Sequence, residues 1–305
     1  MKGKRRKIIV GVLVIVIGLP VALILTAWVC VSIMDKTNGT IVSSGVTRRY
    51  LLYVPKTYDR SKPTPLVISM HMALWPAAEM EVSRWNALAD GHGFIVVYPS
   101  GSDVPRVWHI GGRRMGVDVK FISDLIDKLE AEYNIDPNRI YADGMSIGGG
   151  MAFALSCRLS NRIAAVGAVA AVQAFLPVDE CGDSRPVPTV AFHGTADRAA
   201  PYQGGSSWVA PVTFPNIQDW TTRVARRNQC KGDPSDTRIT ANVRRLAYTN
   251  CAENADVILY TVEGGGHTWP GGKPMPEWIV GRTTSEINAT HVMWEFFVQH
   301  PRGSK

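Results

Sequence analysis

Three polar residues of this 305-residue chain have the types and the order that acyl-transfer chemistry needs. Ser146 stands between two glycines in a G-x-S-x-G pattern, Asp197 comes later, and His267 follows a run of three glycines. A serine hydroxyl is a poor nucleophile at neutral pH unless a histidine accepts its proton, and that histidine needs a carboxylate to fix its tautomer. We therefore predict Ser146 as the nucleophile, His267 as the general base and Asp197 as the acid that orients the histidine.

The surroundings of Ser146 strengthen this prediction, because a G-x-S-x-G pattern alone is also compatible with an ordinary glycine-rich turn. Residues 139–142 predict a short buried strand before the serine, and Ile147, Met151 and Leu155 recur after it at helical spacing. A sharp turn from strand to helix lifts a serine hydroxyl above the sheet, and only glycine tolerates the crowding on either side. The sequence therefore favours a nucleophile held on such a turn.

Asp197 and His267 each lie just past a predicted strand, one ending at Phe192 and the other at Val262. The order serine, acid, histidine, with each residue on a loop after a strand, is the order expected around such a turn. His193 also follows a strand, but it precedes the acid, and we predict for it a hydrogen-bonding role in the turn.

The remaining acidic and basic competitors are placed less well. Asp219 lies in a predicted helix, too far beyond its strand, while His291 and His300 belong to the predicted closing helix.

Acyl transfer also needs hydrogen-bond donors for the oxyanion that develops in the transition state. The backbone N–H of Ile147, directly after the nucleophile, is the first predicted donor. The second is predicted from the loop after the strand Pro65–Met70, where Met72 or Ala73 would supply the N–H. An ordinary strand-to-helix turn is the alternative interpretation of that loop.

Three tryptophans fall near the predicted carboxyl ends of strands: Trp75, Trp108 and Trp269. They could form an aromatic platform for an apolar or aromatic acyl group, but tryptophan in such loops serves packing as often as recognition. Both interpretations stay open from the sequence.

Alternation of strands and helices defines the fold class. The apolar strands are continuous rather than alternating, which is typical of a mainly parallel central sheet covered by helices on both faces. We therefore predict an α/β fold for residues 46–305. The predicted strands are Arg49–Val54, Pro65–Met70, Phe94–Tyr98, residues 139–142, Ile163–Val172, Pro188–Phe192 and Val257–Val262, and the predicted helices contain Phe121–Tyr133, Ile147–Leu155, Asn216–Asn228 and Val292–Phe297.

Composition places the chain among ordinary globular proteins, with 46% hydrophobic and 19% charged residues. The formal net charge of +7 arises largely from the first seven residues, which contain five Lys and Arg. Because the rest of the chain has no basic block interleaved with aromatic residues, we predict no nucleic-acid partner.

The segment 8–33 contains no charged residue and would form a helix of roughly 39 Å, longer than the ~30 Å core of a bilayer. The basic residues 1–7 before it predict a cytoplasmic N-terminus and an exported C-terminal domain. We predict a transmembrane or signal-anchor helix at 8–33 followed by a linker at 34–45. Cleavage near Ala27, which would release the domain, is the open alternative, and Cys30 is interpreted as an apolar membrane residue.

Four cysteines follow that segment, an even number that predicts two disulfides in an exported domain. Three connectivities are open, and we favour Cys157–Cys181 with Cys230–Cys251 because each pair joins neighbouring elements. None of the four has the spacing of a metal site.

Several longer stretches resemble the secreted polyhydroxybutyrate depolymerase and feruloyl-esterase-like branch of the α/β-hydrolases. They are the runs Tyr133–Ser146, Arg185–Asp197 and Gly266–Gly272, followed by Trp294–Phe297. The resemblance covers about Thr47 to Pro301 and implies an α/β-hydrolase fold, hydrolysis of carboxylic esters, and no metal or organic cofactor. The family's nucleophile, acid and histidine fall on Ser146, Asp197 and His267.

This chain departs from the family at two positions of the predicted oxyanion site. His71 is followed by Met72 where the family usually has glycine, and Ile147 stands where it often has asparagine. A methionine side chain at this bend could narrow the site or shift the donor N–H.

An exported serine esterase acting on a small or polymeric ester is the leading hypothesis. A cell-envelope acyltransferase and a non-catalytic binding protein of the same fold are the alternatives, and the sequence leaves the oligomeric state open.

Overall fold

The computed structural model describes residues 36–73, 82–103, 106–172, 176–207, 209 and 212–303. The predicted helix at 8–33 and the basic residues 1–7 lie outside the described residues. None of the helices in the described part of the chain combines the length and the apolar character needed to cross a bilayer.

A ten-stranded mixed sheet forms the centre of the protein, in the order β1-β2-β4-β3-β5-β6-β7-β12-β11-β10. The six strands from β4 to β12 in this order pair in parallel, and the strands beyond them on either side pair antiparallel. Its strands are β1 Gly39–Ser43, β2 Val46–Tyr53, β3 Thr64–Met70, β4 Ile95–Pro99, β5 Ile135–Met145, β6 Ala165–Val169, β7 Thr189–Gly194, β10 Ser235–Arg238, β11 Val243–Tyr248 and β12 Val257–Val262; β8 Gly205–Ser206 and β9 Thr213–Phe214 form a separate short pair.

Helices cover both faces of the sheet, as the continuous apolar strands predict. Apolar side chains of α2, α3 and α4 share one core with the sheet, and those of α1 and α6 share the other. The helices are α1 Trp85–His92, α2 Gly112–Glu132, α3 Ile147–Arg158, α4 Ile217–Arg227, α5 Glu277–Val280 and α6 Ala289–Gln299, with short 3-10 turns at Val178–Cys181 and Ala252–Asn254.

The parallel strands are buried on both faces because a helix layer lies against each. Every residue of β3, β4 and β7 is buried. Removing the apolar surface of such strands from water stabilises the fold by about 25 cal/mol for each Å² buried, and this contribution favours the layered arrangement. The carboxyl ends of the six parallel strands therefore all meet at one edge of the sheet.

The sheet is wider than the sequence predicted. Residues 39–43 belong to β1 and pair with β2, so the predicted linker at 34–45 is wrong for that part. At the other edge, β10 and β11 were not predicted because neither has the apolar pattern of a buried strand: all four residues of β10 are exposed. Their pairing depends on the neighbouring strand β12, which a local pattern does not reveal.

Two disulfides join Cys157 to Cys181 and Cys230 to Cys251, which confirms the predicted connectivity. The first bond joins the end of α3 to the 3-10 turn that follows β6. The second joins Cys230, three residues after the end of α4, to Cys251, which directly precedes the 3-10 turn before β12. Each disulfide therefore cross-links segments that connect strands of the sheet.

Candidate active site

Ser146 occupies a strained turn between β5 and α3. Its φ of 56° and ψ of −126° lie outside the regions that L-residues ordinarily adopt. The Ser146 N–H donates to the Val169 carbonyl at 2.9 Å, which ties the turn to the end of β6. A residue held in a sparsely populated conformation persists only when the surrounding structure enforces it, and such residues cluster at functional sites.

Close packing of backbone around this turn explains the two flanking glycines. A Cβ atom added to Gly144 would lie 2.4 Å from the Gly148 carbonyl carbon, and one added to Gly148 would lie 2.2 Å from the Met70 carbonyl oxygen. The first turn of α3 thus lies directly against the end of β3. The two glycines let the loop after β3 approach the serine.

Replacing Gly148 by alanine is expected to lower the free energy of unfolding by about 1–3 kcal/mol, because the new methyl group overlaps backbone rather than a flexible side chain. Thermal unfolding of the variant measures the effect, and the melting temperature should fall. Gly116→Ala is the matched control, since a Cβ there meets nothing within 4 Å and the residue lies in α2. Equal melting temperatures for the two variants would contradict the inference that backbone crowds Gly148.

Asp197 and His267 meet at the same edge of the sheet. The Nδ1 atom of His267 lies 2.8 Å from the Asp197 Oδ2 atom, and the carboxylate side chain is fully buried. Because an ionised carboxylate only accepts hydrogen bonds, Nδ1 carries the proton and Nε2 of a neutral His267 is left as the acceptor. That is the tautomer a general base needs.

The loop after β7 presents the Asp197 carboxylate in its ionised form. The other carboxylate oxygen, Oδ1, accepts the N–H groups of Ala199 and Ala200, each at 2.8 Å. Burial raises the pKa of Asp197, but His267, His193 and the Ala200 N–H together outweigh burial and leave the pKa below its ordinary value. The carboxylate therefore stays charged at neutral pH.

His193, the penultimate residue of β7, completes the surroundings of the carboxylate. Its Nε2 lies 2.7 Å from the Ala200 carbonyl oxygen and 3.4 Å from Asp197 Oδ2. Burial lowers the pKa of His193, which keeps the ring neutral. The sequence predicted a hydrogen-bonding turn residue here but not the contact with the acid, because that contact depends on how the loop folds back.

Gly194 allows the loop after β7, which carries Asp197, to run in contact with the loop after β12, which carries His267. A Cβ on Gly194 would lie 2.1 Å from the Gly265 carbonyl oxygen, and one on Gly266 would lie 2.2 Å from the Val280 carbonyl oxygen. The Ala196 N–H also donates to the Gly265 carbonyl at 2.9 Å. The Gly194 and Ala196 contacts hold the Asp197 loop against the His267 loop, and Gly266 packs against the end of α5.

Ser146 lies at the same edge but makes no hydrogen bond to His267 within the described residues. Strand β5, which ends directly before the serine, is separated from β7 by β6 alone, and β7 pairs with β12. Catalytic hydrogen bonds are often long without substrate and tighten when it binds. The structure thus joins two of the three predicted residues directly and places the third on a neighbouring loop.

The predicted oxyanion donors lie beside the serine turn. Ile147 is the first residue of α3, where N–H groups have no intrahelical acceptor, and Met72 and Ala73 follow β3 directly. The Met72 side chain packs against the core formed with α1 and α6, and the Ile147 side chain packs against the opposite core. The side chains of Met72 and Ile147, the two residues that depart from the family pattern, therefore both contact the core.

Two tryptophans of the predicted aromatic platform are buried instead. Trp108 and Trp269 are each 1% exposed. The Trp108 indole donates to the His71 carbonyl at 3.2 Å, and the Trp269 indole donates to the Thr290 hydroxyl at 2.9 Å. The interpretation of these two as a substrate platform is therefore wrong, because neither ring offers an open face. Trp75 lies outside the described residues.

A second buried acid lies beneath the serine turn. Asp143, three residues before Ser146 in β5, is fully buried, and its Oδ1 accepts the Ser69 hydroxyl at 2.7 Å. Burial raises the pKa of Asp143 to about 7 against the opposing effect of the Ser69 hydrogen bond. No sequence pattern identifies this acid, since a single aspartate inside an apolar strand has no periodicity or spacing of its own.

Asp143→Asn is expected to flatten the pH dependence of stability. Because the folded-state pKa of about 7 exceeds the ordinary 3.8, the folded state binds more protons between these values, and stability falls as the pH rises through them. A pKa difference of roughly three units corresponds to a change of at most about 4 kcal/mol in the free energy of unfolding. Asparagine cannot ionise, so the variant should lack this change. Urea unfolding at pH 4 and pH 8 measures the difference, with exposed Asp233→Asn as the control. A variant with the same pH slope as the wild type would contradict a buried, titrating Asp143.

No group of three or more His, Cys, Asp or Glu side chains in the described ranges is arranged to hold a metal ion.

Known proteins with similar sequences are esterases by name. Residues 48–176 match the family described as Esterase PHB depolymerase. Feruloyl esterase B of Piromyces equi is 33% identical over 235 residues, which cover 74% of this chain and 44% of that protein. This chain therefore spans less than half of that relative. NocK of Nocardia uniformis subsp. tsuyamanensis, a candidate esterase by name, is 30% identical over 289 residues, covering 86% of this chain and 82% of NocK.

Solved structures agree with the fold. The acetyl xylan esterase from Aspergillus awamori superposes with a TM-score of 0.61 at 14% sequence identity, covering 85% of this chain and 98% of that chain. At this identity the similarity concerns the fold, and it confirms the predicted α/β architecture with a mainly parallel sheet.

Proposed function

Because the chain belongs to the Esterase PHB depolymerase family, we propose that it hydrolyses carboxylic esters through Ser146, His267 and Asp197. The observation that carries the proposal is the hydrogen bond of 2.8 Å between His267 and the buried Asp197 carboxylate. It supplies a histidine in the tautomer of a general base, at the edge of the sheet where a serine occupies a strained turn.

Acylation follows from these positions. Nε2 of His267 accepts the Ser146 proton while the serine Oγ bonds to the ester carbonyl carbon and the carbonyl oxygen becomes an oxyanion. Asp197 stabilises the imidazolium that forms. When the tetrahedral intermediate collapses, its bond to the alcohol oxygen breaks, and His267 returns the proton to the leaving alcohol. The product is an acyl-serine.

Deacylation repeats the sequence with water. His267 takes a proton from a water molecule, whose oxygen attacks the acyl carbon, and the bond to the serine Oγ then breaks as the proton returns to Ser146. Backbone N–H groups of Ile147 and of the loop after β3 hold the oxyanion in both steps. Each such donor contributes about 10²–10³-fold in kcat.

Feruloyl and related aromatic acyl esters are the proposed substrate class. The name of the Piromyces equi relative supports an aromatic acyl group, and the family description adds hydroxybutyrate esters as the main competitor. Since this chain covers less than half of that relative, the acyl group is inferred from the shared part alone.

Two measurements test the proposal with the full-length protein. A fluorophosphonate probe should label Ser146, identified by mass spectrometry of the labelled peptide. A panel of nitrophenyl acetate, methyl ferulate, acetylated sugars and hydroxybutyrate oligomers should show turnover, with methyl ferulate preferred. Absence of labelling together with absence of turnover on all four substrates would refute the esterase.

Export of the catalytic domain is the second part of the proposal. Two disulfides support it, because such bonds persist in oxidising compartments outside the cytoplasm. The uncharged segment 8–33 would then serve as the membrane anchor or as a cleaved signal. Fractionation of cells expressing a C-terminally tagged chain, with sequencing of its N-terminus, separates these outcomes from a cytoplasmic location.

A further inference from the structure

Both ring nitrogens of His71 bond to backbone directly beneath the predicted oxyanion loop. His71 follows β3 and is fully buried. Its Nε2 lies 2.9 Å from the Gly101 nitrogen, and its Nδ1 lies 2.7 Å from the carbonyl oxygen of Met72. The ring therefore bridges the loop after β4 and the loop after β3.

These two contacts determine the tautomer of His71. A backbone N–H can only donate, so Nε2 must accept from Gly101 and carries no proton. The ring proton then resides on Nδ1, which donates it to the Met72 carbonyl. The other tautomer would place two donors together at Gly101 and two acceptors together at Met72, with both pairs buried.

Fixing the Met72 carbonyl also fixes the following peptide plane. In a planar trans peptide the N–H of Ala73 points opposite to the carbonyl of Met72. Because that carbonyl points at the His71 ring, the Ala73 N–H points away from the ring.

The preceding peptide plane is fixed in the same way, but with a different outcome. The His71 carbonyl oxygen accepts the Trp108 indole N–H and lies against the first turn of α3, 2.6 Å from where a Cβ on Gly148 would be. The Met72 N–H, on the opposite side of that peptide, therefore points away from the first turn of α3. Of the two donors that the sequence left open, Ala73 is the one that the geometry leaves available.

We propose that His71 is a positioning residue, which acts through the Met72 carbonyl to aim the Ala73 N–H at the oxyanion. This proposal rests on the proposed esterase function and adds to it the identity of the second donor and the group that orients it. It also explains how a methionine is accommodated at position 72: the donor comes from the next residue, while the Met72 side chain packs against the core.

The surrounding loop keeps the ring in place. A Cβ on Gly101 would lie 2.5 Å from the Val107 carbonyl oxygen and 3.2 Å from His71 Nε2, so the Gly101 N–H can reach the ring only because residue 101 is glycine. The Trp108 ring lies beside the imidazole with 5.3 Å between centroids. Trp108, buried rather than open to substrate, thus belongs to the support of this loop.

Two variants separate the roles of the ring nitrogens. His71→Asn places an amide near the position of Nδ1 and can still donate to the Met72 carbonyl, whereas His71→Gln places its amide near Nε2 and leaves that carbonyl without its donor. We expect kcat on nitrophenyl acetate to fall about 10²-fold in His71→Gln and less than about 10-fold in His71→Asn, with KM nearly unchanged in both. Equal kcat values in the two variants would overturn the proposal, because a merely space-filling ring would not distinguish them.

Nitrogen NMR of the full-length protein, labelled at its seven histidines, supplies a readout that does not depend on turnover. The His71 signals, identified by their absence in His71→Asn, should show a proton on Nδ1 at neutral pH. A proton on Nε2 would overturn the proposal. Failure of the esterase function looks different, since the wild-type protein would then hydrolyse none of the esters.

Discussion

Replacing Ser146 by alanine is expected to lower kcat for ester hydrolysis about 10⁶-fold, to the level left by substrate binding and the oxyanion donors alone. The loss is that large because no covalent acyl-enzyme can form without the hydroxyl. The fold should be unaffected: Ser146 Oγ has no hydrogen bond to another described residue, and alanine keeps the Cβ and the same backbone strain. Initial rates on nitrophenyl acetate and the melting temperature together measure the effect.

Ser206→Ala is the matched control for this experiment. Ser206 is exposed and lies in the short strand β8, so its variant should retain wild-type turnover and melting temperature. Turnover within tenfold of the wild type in Ser146→Ala would remove the serine from the mechanism. A lowered melting temperature together with lost turnover would instead show that the hydroxyl has a structural role.

Asp197→Asn is expected to reduce kcat about 10⁴-fold while leaving the fold intact. The asparagine carbonyl can replace Oδ1 and accept the N–H groups of Ala199 and Ala200, which otherwise lose their partner. Its NH₂ group then faces Nδ1 of His267 and turns that nitrogen into an acceptor. The proton of the ring moves to Nε2, the atom that must accept the proton of Ser146, so the base is lost although every atom stays near its place.

The rival acid Asp219 provides the control, because it is exposed in α4. Asp219→Asn should keep wild-type kcat and KM. For Asp197→Asn the fall should appear in kcat, with fluorophosphonate labelling of Ser146 slowed in parallel, since both reactions need the base. If Asp197→Asn retained full kcat, another residue would have to orient His267, and the assignment of the acid would be wrong.

Short-range patterns in the sequence predicted several features of the candidate site. Glycines flank Ser146 because the backbone of β3 and α3 leaves no space for a Cβ atom at that turn. The glycines in the sequence therefore indicate the close approach of these two elements. Gly194 has the same cause, because the loop with Asp197 lies against the backbone of Gly265 and Gly266 in the loop with His267. Disulfide connectivity was also accessible, because each pair joins elements that are neighbours along the chain.

Other parts of the site were not accessible because they depend on which side of a chain faces the core. The tryptophans at 108 and 269 lie near strand ends in the sequence, yet their rings point inward, and a loop position says nothing about that direction. The edge strands β10 and β11 are defined by pairing with β12 rather than by a pattern of their own. The burial of Asp143 likewise depends on the layers that close over β5.

The sequence by itself determined the order of the three candidate catalytic residues, the strands that each of them follows, and the fold class, because these properties reside in local residue types and in apolar periodicity. Only the tertiary structure decided that Asp197 and His267 meet, that Met72 and Trp108 face the core, and that His71 orients the loop beside Ser146. The physical reason is that hydrogen bonds between loops are directional contacts made across the edge of the sheet. His71 and Gly101 are 30 residues apart in the chain and Asp197 and His267 are 70 apart, and folding alone brings each pair within 3 Å.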